Sequence, residues 1–240
     1  MYNSKFLKIS IHLVYFSLVI FIGFIIISAI FYPGTTIRDH NTVGYNISSN
    51  FLSDLGRTIT HYCNPTSNLC DICTGGNNNF LSAFFFNNAM FICGIIFIVF
   101  YILLPDYFYD DQTLYRFSII GSFFGVITCS FFLMVGLTPA DLYFDLHVFF
   151  ANNMFKIAFL TALIYSYVIY RSKLLSTFHG IGYFTFAILL ILYVGVLELG
   201  PSPTSSDFAL GFQVIAQKVI ALAFVLSSLM LAKGIKSSFS

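Results

Sequence analysis

Residues 10–32 read SIHLVYFSLVIFIGFIIISAIFY, with no Asp, Glu, Lys or Arg. A helix needs about 20 mainly apolar residues to cross the hydrocarbon core of a bilayer, and this stretch is long enough. Five more stretches qualify, at residues 81–104, 114–137, 148–170, 177–199 and 209–233. Their apolar residues run all round each helix instead of along one stripe, as in segments that face lipid and one another. The predicted fold is an all-α membrane protein, a six-transmembrane-helix bundle forming a single domain over residues 1–240.

The composition agrees. The chain is 58% hydrophobic and 9% charged, with a mean hydropathy of +0.87, whereas soluble domains carry about 25% charged residues. Such a chain has too little polar surface to coat a water-soluble core. A net charge of +1 without a basic stripe excludes nucleic acid as a partner, because no cationic track exists to neutralise phosphates. Membrane lipids are the partners that remain, and no motif specifies a cofactor. Tyr32, Tyr101, Tyr107, Tyr109, Tyr143 and Tyr170 fall near segment ends, where tyrosine serves as an interfacial belt residue.

Lys5 and Lys8 precede the first span. Its apolar run is too long for a secretory signal and lacks an A-x-A site, so a signal anchor is the better reading. Seven cationic residues (Lys5, Lys8, Arg116, Arg171, Lys173, Lys233 and Lys236) fall on one side of the predicted bundle, and Arg38 and Arg57 fall on the other. The positive-inside rule then puts both ends of the chain in the cytoplasm. Small residues Ala216, Ala221, Ala223 and Ser227 suit close approach by the sixth helix. No internal repeat of the kind that builds many transporters is evident.

Residues 33–80 form one long extracytoplasmic loop, rich in Asn, Ser, Thr and Gly. Loops of that length in compact proteins are commonly functional or partly disordered. Its middle, Ile47 to Thr60, is expected to form a short helix on the membrane surface. Within it Ser53, Asp54, Arg57 and His61 are placed to fold over a cavity mouth, where the planar fork of Arg57 suits an anionic headgroup. The bland alternative is a surface helix capped by Ser53 or ended at Gly56.

The polar residues of the spans gather on the same side. They are Asn87 and Asn88 of helix two, Asp141, Asp145, His147, Asn152, Asn153 and Lys156 of helix four, Glu198 of helix five, and Gln213, Gln217 and Lys218 of helix six. An ionisable group at the bilayer centre costs at least ~2.5–3.5 kcal/mol and marks function by default. Asn152 and Lys156 are i,i+4 and can share a face. Lys156 is expected to pair with Glu198 and, with Gln217, to line an outward-facing pocket. Bland readings stand beside these. Thr138-x-x-Asp141 with Pro139 resembles a helix start, which would make Asp141 a cap; His147 can bond to backbone, and Lys218 can snorkel outward.

Cys63, Cys70 and Cys73 lie in the long loop, where an oxidising compartment favours one disulfide among them. Cys70-Asp71-Ile72-Cys73 can also be read as a thiol redox pair, or as part of a zinc site with His61. Asn46-Ile47-Ser48 is a glycosylation sequon, meaningful only in a eukaryotic secretory route. There is no phosphate-binding G-x-x-x-x-G-K-[ST], no H-E-x-x-H and no G-x-S-x-G.

Tyr32-Pro33-Gly34 followed by Asn50-Phe51-Leu52-Ser53-Asp54-Leu55-Gly56 resembles the DUF998-type family of prokaryotic six-helix membrane proteins, in which an ISDLG-like motif follows helix one. That family's G-x-x-P-x-D … H segment between helices three and four is similar to Gly136-Leu137-Thr138-Pro139-Ala140-Asp141 and His147 here. The likeness spans most of the chain and departs from the pattern in the cysteine-bearing residues 62–79. It implies the six-helix fold and topology, and no particular activity. The family is distantly similar to the Frag/DRAM/Sfk group, whose members are linked to lipid remodelling and lipid asymmetry.

Three functions follow from these residues. The favoured one is a pocket that binds a lipid headgroup or small polar ligand through Ser53, Asp54, Arg57, Asn88, Asp141, His147, Asn152, Lys156, Glu198 and Gln217. The second is an intramembrane lipid hydrolase or transferase in which Asp54, Asp141 and His147 place a metal or a base. The third is a transporter using Lys156 and Glu198. One-sided polarity weighs against transport, because a carrier needs a polar route to both faces.

Overall fold

The computed structural model describes residues 4–61 and 76–239. Six long helices cover most of them: α1 Ser4–Phe31, α2 Phe80–Leu103, α3 Gln112–Leu137, α4 Phe144–Arg171, α5 Thr177–Leu199 and α6 Asp207–Ser237. All six are long and apolar enough to cross a membrane. The chain is therefore a multi-pass membrane protein. Cys63, Cys70 and Cys73, with the disulfide, redox and zinc readings that rest on them, lie outside the described residues. Cys93 and Cys129 are buried as free thiols.

Local chemistry sets the helix ends. Asp111 caps α3 by accepting from the Thr113 and Leu114 amides, and Ser206 caps α6 through the Ala209 amide, each satisfying amides that have no partner within the helix. Pro105 follows α2, where its missing N–H stops the ladder and a 3-10 turn, Leu104–Phe108, takes over. The start of α4 differs from the helix read in the sequence. Thr138 closes α3, its hydroxyl bonding Met134 O, and Pro139 O receives the amides of Leu142 and Tyr143 in a turn. The helix begins only at Phe144, with no side-chain cap. Asp141 is therefore not a helix cap.

Consecutive helices pack side by side, and α6 returns to α1, closing a ring. The seams that α6 makes with α5 and α1 are less extensive than the other four. The small residues of α6 thus do not produce the tightest packing. The helices approach closely between α2 and α3, where a Cβ on Gly94 would come within 2.7 Å of Leu133 and one on Gly136 within 2.7 Å of Asn87 O. Only glycine permits so close a backbone approach.

Both chain ends lie at one end of the ring. There the Lys8 ammonium sits 4.9 Å above the Phe239 ring, the Lys236 ammonium 5.6 Å above Tyr15, and Tyr107 OH donates to Ser238 Oγ at 2.7 Å. Tyr32, Tyr101 and Tyr107 are buried, not belt residues, whereas Tyr109, Tyr143 and Tyr170 are exposed as a belt requires.

The connections 32–61, 138–143 and 200–206 occupy the opposite end. Arg38 binds Asp207 Oδ1 at 2.6 Å and Thr204 O at 2.5 Å, tying the first connection to the last. Residues 58–60 pair with 77–79 through an antiparallel bridge at Ile59 and Asn78. Between these ties, the expected surface helix over 47–60 is absent. In its place a 3-10 turn, Leu52–Gly56, dips into the ring with Asp54, Leu55 and Gly56 buried. A Cβ on Gly56 would meet the Phe86 ring and Asn87 Oδ1 at 2.6 Å, so the turn rests directly on α2. Burying Leu55 there removes an apolar side chain from water, worth about 1.5–3 kcal/mol.

Candidate functional site

The ring encloses a cavity of about 530 Å³ beneath the buried turn. Its far wall is aromatic. Phe21 of α1, Phe97 of α2, Phe132 of α3 and Phe224 of α6 line it, and Phe224 has its ring 5.1–6.3 Å from the other three. Its near wall is polar and carries Asp54, Arg57 and His61 from the first connection, His147 and Asn152 from α4, and Gln217 from α6.

Asn50 organises this near wall. It is fully buried; its Nδ2 donates to Thr35 O at 2.8 Å and Asp54 Oδ2 at 3.1 Å, and its Oδ1 accepts from the Asn46 amide at 3.0 Å. Asp54 Oδ2 also accepts from the Phe51 amide at 3.0 Å, and Oδ1 lies 2.8 Å from His61 Nε2. Burial pushes the Asp54 carboxyl up, but the hydrogen bond and charge of His61, the Asn50 amide and the Arg57 charge outweigh it and hold the group below its ordinary value. Arg57 donates its Nε to Ile59 O at 3.3 Å, and Arg57 and Ser53 both line the cavity.

Two helices and the α3–α4 connection hold the turn and its flanking residues. Gln217 Oε1 accepts from the Leu52 amide at 2.7 Å, and Lys218 Nζ donates to Asn50 O at 2.6 Å while lying 5.4 Å from the Tyr45 ring. Lys218 therefore reaches inward to the connection instead of snorkelling. From α2, Ser82 Oγ donates to Leu55 O and Asn87 Nδ2 to Gly56 O. From the α3–α4 connection, Asp141 accepts from the Thr58 amide at 2.9 Å, the Thr58 hydroxyl at 2.5 Å and the Ile59 amide at 3.0 Å. These bonds outweigh partial desolvation and keep the Asp141 carboxyl below its ordinary value. Asp141 is a clamp on the first connection, its oxygens already engaged.

His147 is buried, with Nδ1 2.7 Å from Thr138 O. A carbonyl only accepts, so Nδ1 carries the proton and Nε2 is the basic nitrogen of the neutral ring. Asn88 stays outside the cavity, bonding Phe84 O of its own helix. Lys156 does pair with Glu198, at 2.7 Å, but both side chains are nearly half exposed and neither lines the cavity. Phe155 and Ala151 face inward on α4, which turns Lys156, one position on, about 100° away. The expected pocket of Lys156, Glu198 and Gln217 thus separates into an outer ion pair and an inner cavity. Of Asp54, Asp141 and His147, the first and last line the cavity and Asp141 does not. Among the described residues no three His, Cys, Asp or Glu side chains gather to hold a metal ion.

Polar groups in the other half of the ring escaped the sequence reading. Ser122 Oγ bonds Tyr101 O and the Tyr165 hydroxyl, and Tyr165 in turn donates to Ser118 O. Each hydroxyl ends on a neighbouring oxygen in close packing, which makes this network a structural fastening.

The site defines a multi-pass membrane protein with an amphipathic interior cavity. No family model, curated protein or solved structure matches the chain.

Proposed function

We propose that the cavity binds a membrane amphiphile with an anionic headgroup, the headgroup at Arg57 and the apolar portion against Phe97, Phe132 and Phe224. The observation that carries this reading is the cavity's polarity: hydrogen-bonding and bearing Arg57 at the end nearest the connections, phenylalanine-lined at the other. Binding sites of this size are mostly apolar with a few placed polar groups. The cationic excess at the chain-end side supports reading the cavity mouth as extracytoplasmic. The Asn50–Gly56 and Gly136–His147 segments, which resemble the DUF998-type motifs, both contribute residues to the site.

Native mass spectrometry of protein extracted from membranes tests the reading. A retained mass matching an anionic lipid is expected, and Arg57→Gln should lose it while the protein stays monodisperse. A lipid-free wild type, or equal retention by Arg57→Gln, rejects it.

A further inference from the structure

Asp54 and His61 have the arrangement of an acid–base couple, and both face the cavity. The Asp54 carboxylate is an acceptor with its oxygens shared among Asn50, the Phe51 amide and His61. His61 Nε2 must therefore donate, which fixes the tautomer and leaves Nδ1 as the basic nitrogen. The His61 side chain is 13% exposed and that of Asp54 6%, so the ring keeps some contact with water while its carboxylate partner is almost dry, and both line the cavity. A carboxylate held in this way orients the imidazole and stabilises the imidazolium formed when it takes a proton. Arg57 lines the same cavity with Nε occupied by Ile59 O, so the terminal nitrogens of its fork can meet phosphate oxygens.

We propose that His61 is a catalytic base that hydrolyses a phosphodiester bond in the headgroup of the bound lipid, with Asp54 as its positioning residue and Arg57 on the phosphate. The proposal rests on lipid occupying the cavity. His61 Nδ1 takes a proton from a water molecule as the water oxygen bonds to phosphorus. Arg57 stabilises the charge that builds on the phosphoryl oxygens. The phosphorus–oxygen bond to the leaving alcohol then breaks, and the proton on His61 passes to that oxygen. One diester and one water give one monoester and one alcohol, with His61 restored.

The test uses the full chain in nanodiscs of phosphatidylglycerol, phosphatidylethanolamine and phosphatidylcholine, with products followed by mass spectrometry. Phosphatidic acid or diacylglycerol should accumulate with wild type. His61→Gln can still donate to Asp54 but has no basic nitrogen, so turnover should fall by about 100-fold or more while native mass spectrometry still finds bound lipid. Asp54→Asn should lower kcat more than KM and move the pH profile, which loss of a purely structural bond would not do. Bound lipid without turnover, equal turnover in His61→Gln, or release of fatty acid instead overturns the catalytic proposal and leaves binding standing. Absence of bound lipid from wild type overturns both.

Discussion

Replacing Asp141 with alanine removes three acceptor contacts at once, from the Thr58 amide, the Thr58 hydroxyl and the Ile59 amide. Hydrogen bonds to a charged group contribute about 1.5–3 kcal/mol each when well shielded. Asp141 is only partly buried and Ile59 is exposed, so water recovers part of each bond. We expect a loss of about 3 kcal/mol, which for a chain of this size lowers Tm by about 6–12 °C. Thr58→Val removes one of the three contacts and should cost less. The double variant should fall short of the sum by about 1 kcal/mol, because both changes break one shared bond. The assay is the midpoint for loss of monodisperse protein on heating in detergent. An Asp141→Ala midpoint within about 1 °C of wild type, or strict additivity with Thr58→Val, would refute the clamp and return Asp141 to the candidates for ligand binding.

Acid should loosen the same end of the molecule. Asp54 and Asp141 are both held below the ordinary carboxylate value of 3.8, so their stabilisation is present above that value and is lost as pH falls through the lower folded-state values. A melting midpoint that rises on acidification below about pH 4 contradicts the assignment. For the outer ion pair, Lys156→Met should lower stability by leaving Glu198 unpaired, yet leave bound lipid unchanged; lost lipid would place Lys156 back at the cavity. A topology reporter fused after Ser240 should read cytoplasmic and one inserted at Asn78 extracytoplasmic. The same side for both contradicts the six-span bundle.

The six spans were legible because crossing a bilayer needs only length and apolarity, which are local properties of sequence. Spans read at 177–199 and 81–104 match α5 Thr177–Leu199 and α2 Phe80–Leu103 closely. The cluster Ser53, Asp54, Arg57 and His61 was also legible as a group, since its members are close in the chain and share a cavity in the fold. Helical spacing even put Lys156 within reach of Glu198. What spacing could not supply was the rotation of each helix about its own axis, which depends on which faces bury against neighbours. That rotation sends Phe155 to the cavity and Lys156, the next residue, to the outer ion pair with Glu198. Partners across long stretches of chain were equally closed to sequence reading. Asp141 finds Thr58, Gln217 finds Leu52 and Lys218 finds Asn50 only because the ring brings three connections to one end. The sequence by itself determined a six-helix membrane bundle with a polar end. The tertiary structure decided which of those polar groups fasten the connections and which face the cavity, because a buried donor or acceptor must find a partner wherever the fold provides one.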